Sequence, residues 1–272
     1  MQVLSKERAL QHLRARIESI EKRPALAGTP DTGGRPEGLF SLPGGLLQEI
    51  FADAHRDAGA ALGFALGLAR GQITPGRPAV LYLQLTPEAQ ETGFPYGMGL
   101  AAFGLDAEAV IFIRPQTIVE LLWAAEEALA CRAVAAVIAD VAYPHKALDF
   151  TTSRRLALRA AASGTSMFFL AYGPERQASA AQLRWRVGGA VSRPPPFDSK
   201  APGFSRWELT LEKGRLGRRH GTSAGNVFVV DWTENGFVLA ADKHADFAGA
   251  EAARTVPRAP SAALGDRLSE AG

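Results

Sequence analysis

Leu46–Ala69, LLQEIFADAHRDAGAALGFALGLA, reads as an apolar strand, a short polar loop and a helix. Leu46–Phe51 is the strand. Leu62, Ala65, Leu66 and Ala69 recur on one helical face, and the helix ends near Gly71. This is the place where a nucleotide-binding α/β domain carries its phosphate loop. A working loop needs Gly-x-x-x-x-Gly-Lys-Ser/Thr, so that backbone N–H groups wrap the phosphates while Lys and the hydroxyl engage phosphate and Mg²⁺. Here the loop carries Ala52, Asp53, Ala54, His55, Arg56, Asp57, Ala58 and Gly59, with no lysine, no Ser/Thr and two carboxylates. A carboxylate about 4 Å from a phosphate oxygen would cost on the order of 4 kcal/mol at an effective dielectric near 20. A register shift could put Arg56 in the lysine's role. Nothing then replaces the hydroxyl, and the lost glycines restrict a phosphate nest. In the plainer reading, Asp53 and Asp57 simply solvate a surface loop. Nucleotide hydrolysis is not expected from this loop, and no cofactor is.

Outward from the loop, apolar runs and helical stripes alternate. After the Pro75-Gly76 turn, Ala79–Leu85 (AVLYLQL) is a nearly all-apolar strand, as expected of a parallel strand covered on both faces. Tyr96–Gly104 is a short helical piece and Ala109–Arg114 (AVIFIR) another strand. Thr117-x-x-Glu120 is a capping box opening a helix with Ile118, Leu121, Leu122, Ala125 and Leu129 on its core face. Ala133–Asp140 (AVAAVIAD) is a strand that ends in a carboxylate. Thr151 begins a helix that closes at Gly164, and Thr165–Tyr172 (TSMFFLAY) is the next strand. The order β-α-β-α-β-α-β-α-β over residues 46–172 calls for a parallel sheet with helices on both faces.

From Leu183 the period changes to two. Leu183, Trp185 and Val187 alternate with Arg184 and Arg186; Trp207, Leu209 and Leu211 alternate with Glu208 and Thr210; Val227–Val230 and Phe237–Ala240 follow. With turns at Lys213-Gly214 and Asn235-Gly236, these runs predict antiparallel strands extending the sheet. Before the domain, residues 1–23 read as an amphipathic helix (Val3, Leu10, Leu13, Ile17, Ile20) and residues 24–41 as a linker. The domain spans residues 42–242, and residues 243–272 read as a disordered tail.

Asp140 ends its strand where a Walker-B carboxylate would help hold Mg²⁺. The bland alternatives are a polar strand end or an N-cap for the turn that follows. Between Arg184 and Arg219 the chain carries nine Lys and Arg against three Asp and Glu, a local net charge of +6, while Asp231 to the end is −3. Such a strip, which includes Arg184, Arg186, Lys213, Arg215, Arg218 and Arg219, could track a nucleic-acid backbone or meet a protein partner. Its Trp185 and Trp207, in alternating strands, are expected to point into the core. Arg218, Arg219 and His220 are expected on an exposed loop. The overall net charge of +2 implies no polyanion by itself. The five histidines lack metal-ligand spacing, so no metal site is expected. Cys131, the one cysteine, excludes an internal disulfide and is expected to be a small buried hydrophobe. No signal peptide or membrane span is read, which points to the cytoplasm.

The ordered set LLQEIF, degenerate loop, AVLYLQL, YGMGLAAFGLD, VIFIRP and AVIADV follows the course of a RecA-type core. With SAAQLRWRV (Ser179–Val187) and the strand WELTLEKGR, it resembles the ImuA family of RecA-like, damage-inducible mutagenesis proteins over roughly residues 40–240. The resemblance implies a RecA-like fold and a role in SOS-induced translesion synthesis. The implied partners are ImuB, a Y-family polymerase relative, and an error-prone replicative-type DNA polymerase, with RecA and single-stranded DNA as further candidates. A recombinase carries a catalytic Glu just after the second core strand, where Glu88 is the nearest candidate here. Its DNA loop would correspond to residues 173–180, with Glu175, Arg176 and Gln177. The reading that follows is a non-catalytic adaptor, with an ATP-dependent single-strand-binding recombinase as the alternative.

Overall fold

The computed structural model describes residues 40–141, 145–195, 197–198, 200–216 and 224–240. The expected N-terminal helix, nearly all of the linker, the tail, and Arg218, Arg219 and His220 lie outside the described residues. The fold is α/β. Nine strands among the described residues form one mixed sheet in the order β3-β2-β4-β5-β1-β6-β7-β8-β9.

Strands β1 (Leu47–Ala52), β2 (Ala79–Gln84), β3 (Val110–Ile113), β4 (Val134–Val141) and β5 (Ser166–Tyr172) all run parallel. Every residue of β4 is buried, as a central strand covered on both faces requires. Helix α1 (Ala58–Arg70) packs on one face, against Ile50, Tyr82, Ile138, Phe168 and Trp185. Helices α4 (Ile118–Ala130) and α5 (Phe150–Ser163) cover the other, over Leu47, Leu81, Leu83, Val137 and Met167. Two short helices, α2 (Thr86–Thr92) and α3 (Gly97–Ala102), separate β2 from β3. No helix among the described residues is long and apolar enough to cross a membrane.

The capping box of α4 forms as expected: Thr117 Oγ1 accepts from the Glu120 N–H, and the Glu120 carboxylate accepts from the Thr117 N–H. Helix α5 is capped by Asp149, whose Oδ1 accepts from the Thr152 N–H at 2.7 Å. It therefore starts one residue before the expected Thr151. Gly164, at φ 75°, closes it in the left-handed conformation that glycine adopts freely. Cys131 departs from expectation. It caps the C-terminus of α4 and is exposed, because the apolar face of α4 ends at Leu129.

The period-two region holds four strands, β6 (Leu183–Ala190), β7 (Arg206–Lys213), β8 (Val227–Thr233) and β9 (Gly236–Leu239). The antiparallel pairing starts one strand later than the alternation implies. β6 runs parallel to β1 and antiparallel to β7, so it joins the two halves of the sheet. The alternation is real nonetheless: Leu183, Trp185 and Val187 are buried and the arginines between them are half-buried. Trp185 and Trp207 point inward, with indole N–H groups donating to Gln48 Oε1 at 3.1 Å and to the Ala60 carbonyl at 2.9 Å.

Candidate functional site

β1 ends at Ala52, and Asp53 and Ala54 lead into a single 3₁₀ turn, His55–Asp57, before α1 begins at Ala58. The chain thus makes the strand–loop–helix passage of a phosphate loop at the carboxyl edge of the parallel strands, where α/β sheets bind ligands. The polar groups of the loop face other partners. Asp53 Oδ1 accepts from Arg176 Nη2 at 2.6 Å, and Arg186 Nη1 lies 3.6 Å from its Oδ2. Asp53 is therefore more than a solvating carboxylate.

Arg176 lies in the loop after β5, the segment that the resemblance assigns to DNA. Its donors turn inward. Nε bonds Glu212 Oε2 at 2.8 Å, Nη1 bonds the Gly173 carbonyl at 2.7 Å, and the guanidinium sits 4.2 Å from the Phe51 ring centre. Burial alone would lower its pKa, but the bonds to Glu212 and Asp53 hold it raised. Arg56 does not take the missing lysine's place. Its side chain is 75% exposed, and its ion-pair partner is its neighbour Asp57 at 3.9 Å. Ala58 and Gly59 form the first turn of α1, and a side chain at Gly59 would meet open space.

Asp140 is the second centre. It lies on β4 between β2 and β5, and each of those strands presents a tyrosine to it. Tyr82 donates its hydroxyl to Asp140 Oδ2, and Tyr172 donates to Oδ1 at 2.8 Å. The carboxylate is thus neither a bare strand end nor an N-cap. Burial raises its pKa, and the two phenols and nearby His55 act in the opposite direction. Burial and the Asp140 charge likewise push both phenols well above the ordinary tyrosine value. Beside this cluster lies a cavity of about 180 Å³, lined by His55, Gln84, Phe94 and the three clustered residues among others. Gln84 is buried. Its amide N–H donates to Thr92 Oγ1 at 3.1 Å, but its Oε1 has no partner among the described residues. Glu88, the candidate catalytic glutamate, is buried on α2, with Oε1 3.8 Å from His145 Nε2.

Part of the basic strip is paired across the sheet. Arg184 Nε bonds Glu49 at 2.7 Å and its Nη2 bonds the Gln177 carbonyl at 2.7 Å. Arg186 bonds Thr210 Oγ1 at 3.0 Å, Lys213 Nζ bonds the Ser179 carbonyl at 2.8 Å, and Arg206 forms a two-point pair with Asp231 at 2.6 and 2.8 Å. Arg215 is exposed. Glu49, Asp53 and Asp231 lie outside the counted stretch, so a charge sum along the chain misses these partners.

The sequence pointed to the loop and to Asp140 but missed Arg176's bond to Asp53 and both tyrosines. A signal for the tyrosines was present: Tyr82, Asp140 and Tyr172 are polar groups near the carboxyl ends of three apolar strands. On adjacent strands with matching parity such groups share one face.

Comparison with known proteins finds 30% identity over 209 residues to Protein ImuA of Caulobacter vibrioides strain NA1000 / CB15N, covering 73% of this chain and 79% of the relative. Protein ImuA of strain ATCC 19089 / CIP 103742 / CB 15 matches to the same extent. No family model matches the chain.

Proposed function

Because the chain belongs to the ImuA family, we propose that it is a non-catalytic, RecA-like accessory protein of an SOS-induced, error-prone translesion synthesis complex. In this reading it is an adaptor for an ImuB-like Y-family polymerase relative and an error-prone replicative-type DNA polymerase, with RecA as a further contact. The observation that carries the reading is that both chemical positions of a nucleotide site have internal partners. Asp53 stands in the phosphate loop and is held by Arg176, and Asp140, at the metal-binding position, accepts two tyrosine hydroxyls. A phosphate entering the loop would meet the Asp53 carboxylate, and a Mg²⁺ ion would have to displace two phenols with no loop hydroxyl to assist it.

The sheet supports the same reading. The loop-bearing strand β1 and the Asp140 strand β4 are separated by β5 alone, so the scaffold of a nucleotide site is retained while its reactive groups are replaced. The pairing of Arg184, Arg186 and Arg206 within the domain takes up part of the cationic strip that motivated the recombinase alternative.

Purified full-length protein, titrated with ATP and Mg²⁺, is expected to show neither saturable binding nor turnover, and to retain a co-expressed ImuB-like partner in pull-down. Micromolar binding with Mg²⁺-dependent turnover would overturn the non-catalytic reading. Loss of the partner interaction in the intact protein would overturn the adaptor role. Chains lacking residues 1–23 or 243–272 then locate the docking element.

A further inference from the structure

We propose that the cavity beside Asp140 receives a guanidinium group, carried by an arginine side chain or by a free arginine-like solute. The assignment does not depend on the adaptor reading. It starts from hydrogen-bond inventory. Tyr82 and Tyr172 each spend their proton on Asp140, so toward a guest both phenol oxygens are acceptors. The Asp140 oxygens accept one phenol each and keep further lone-pair capacity. Gln84 spends an amide N–H on Thr92, and its Oε1, buried in the cavity lining, has no donor among the described residues. The polar groups that converge here ask for donors.

Charge and shape narrow the class. The Asp140 carboxyl, with both oxygens already accepting from phenols, turns acceptors rather than donors toward the cavity, which disfavours phosphate and carboxylate guests and favours a donor-rich cation. The first turn of α1 borders the cavity at Ala58 and Gly59, but a helix N-terminus carries roughly +0.5 of a charge, less than a full carboxylate. A cavity of about 180 Å³ is smaller than the sites of drug-sized ligands, and suits one planar group on a thin stem. Tyr82 and Tyr172 are both in its lining, and aromatic side chains beside a cavity suit a guanidinium guest. A guanidinium is more weakly hydrated than an ammonium and offers five donors in a fixed plane, enough for Asp140, Gln84 Oε1 and a phenol oxygen together. Binding would also give buried Gln84 Oε1 the donor it lacks.

The test is titration of the full-length protein with N-acetyl-L-arginine methylamide and its neutral citrulline counterpart, followed by calorimetry and by the Gln84 side-chain amide resonance. Saturable binding of the arginine probe is expected, at least about tenfold tighter than citrulline. Asp140→Asn, which keeps an acceptor for one phenol and a donor for the other, should weaken it about tenfold or more, and Gln84→Leu by a smaller factor. Free L-arginine separates the sources. Binding equal to the blocked probe points to a solute, and a marked preference for the blocked form points to a side chain on a protein. Equal response to arginine and citrulline, or saturation by neither, overturns the proposal. Should Asp140→Asn fail to fold, the citrulline comparison and Gln84→Leu decide the matter alone.

Discussion

Arg176 Nη2 donates to Asp53 Oδ1 at 2.6 Å across 123 residues of chain, and the same guanidinium holds Glu212 through Nε at 2.8 Å. One side chain from the loop after β5 therefore ties the loop between β1 and α1 to β7. Each nitrogen of that guanidinium already has an acceptor within the domain.

Removing that tie leaves Asp53 and Glu212 without their shared cation. Asp53 is about half exposed and keeps Arg186 at 3.6 Å, so solvent screening and this second arginine reduce the loss. Arg176→Ala is expected to lower unfolding free energy by about 1–2 kcal/mol, within the range for hydrogen bonds to charged groups. Part of the loss should disappear in high salt. Urea titration at two ionic strengths reads both; an unchanged midpoint would show the tie to be energetically idle.

Much of the fold was legible because its signals are local. The Thr117–Glu120 capping box needs three residues of spacing, and the Leu183–Val187 alternation needs only the period of the pleat. The site was legible only at its backbone position. Arg176 and Asp53, or Arg184 and Glu49, become partners through sheet order, and no short window of sequence contains both. The same cause hides the partners of several residues in the basic strip. Counting along residues 184–219 cannot see carboxylates from β1, the loop after it and β8 lying opposite. Cys131 was misjudged for a different reason: the apolar stripe of α4 runs toward it, but the helix leaves the core before reaching it.

The Trp185–Gln48 bond, at 3.1 Å between two buried groups, should behave as a pair. Trp185→Phe strands Gln48 Oε1, and Gln48→Leu strands the indole N–H, each costing about 1–3 kcal/mol from the unpaired group alone. The double variant strands neither. A double-mutant cycle by urea unfolding should therefore give a coupling of about 1 kcal/mol or more. Strict additivity would mean the bond contributes nothing specific.

Two glycines of α1 should respond with opposite signs. A Cβ at Gly67 would stand 2.5 Å from Phe237 Cζ and 2.8 Å from a Trp232 ring carbon, whereas at Gly59 it meets nothing within 4 Å. Alanine gains about 1 kcal/mol of helix propensity over glycine, and overpacking costs about 1–3 kcal/mol. Gly59→Ala is accordingly expected to raise the melting temperature, and Gly67→Ala to lower it as the β8–β9 aromatics are pushed off α1. A stabilised Gly67→Ala would show that those rings yield without loss.

The Tyr82–Asp140–Tyr172 cluster should write itself into the pH dependence of stability. Burial raises the Asp140 pKa above its ordinary value of 3.8, so the folded state holds that proton more tightly than the unfolded chain. The resulting stabilisation is fully present below 3.8 and is lost as pH rises through the folded value. Asp140→Asn carries no such ionisation cost. Its stability relative to the natural protein should therefore rise as pH climbs from 3.8 and level off only once the folded carboxyl has ionised. The phenols act at the other end of the scale. Both are raised from 10.0, so their contribution is complete below pH 10 and is lost above it, as the unfolded chain ionises and the folded one does not. Phenolate absorbance of Tyr82 and Tyr172 should appear only with alkaline unfolding. Urea midpoints measured across pH for the natural protein, Asp140→Asn and Tyr82→Phe test both limbs. A pH-independent difference between the natural protein and Asp140→Asn would mean that Asp140 keeps the same protonation equilibrium folded and unfolded, and that the two phenols fully offset its burial.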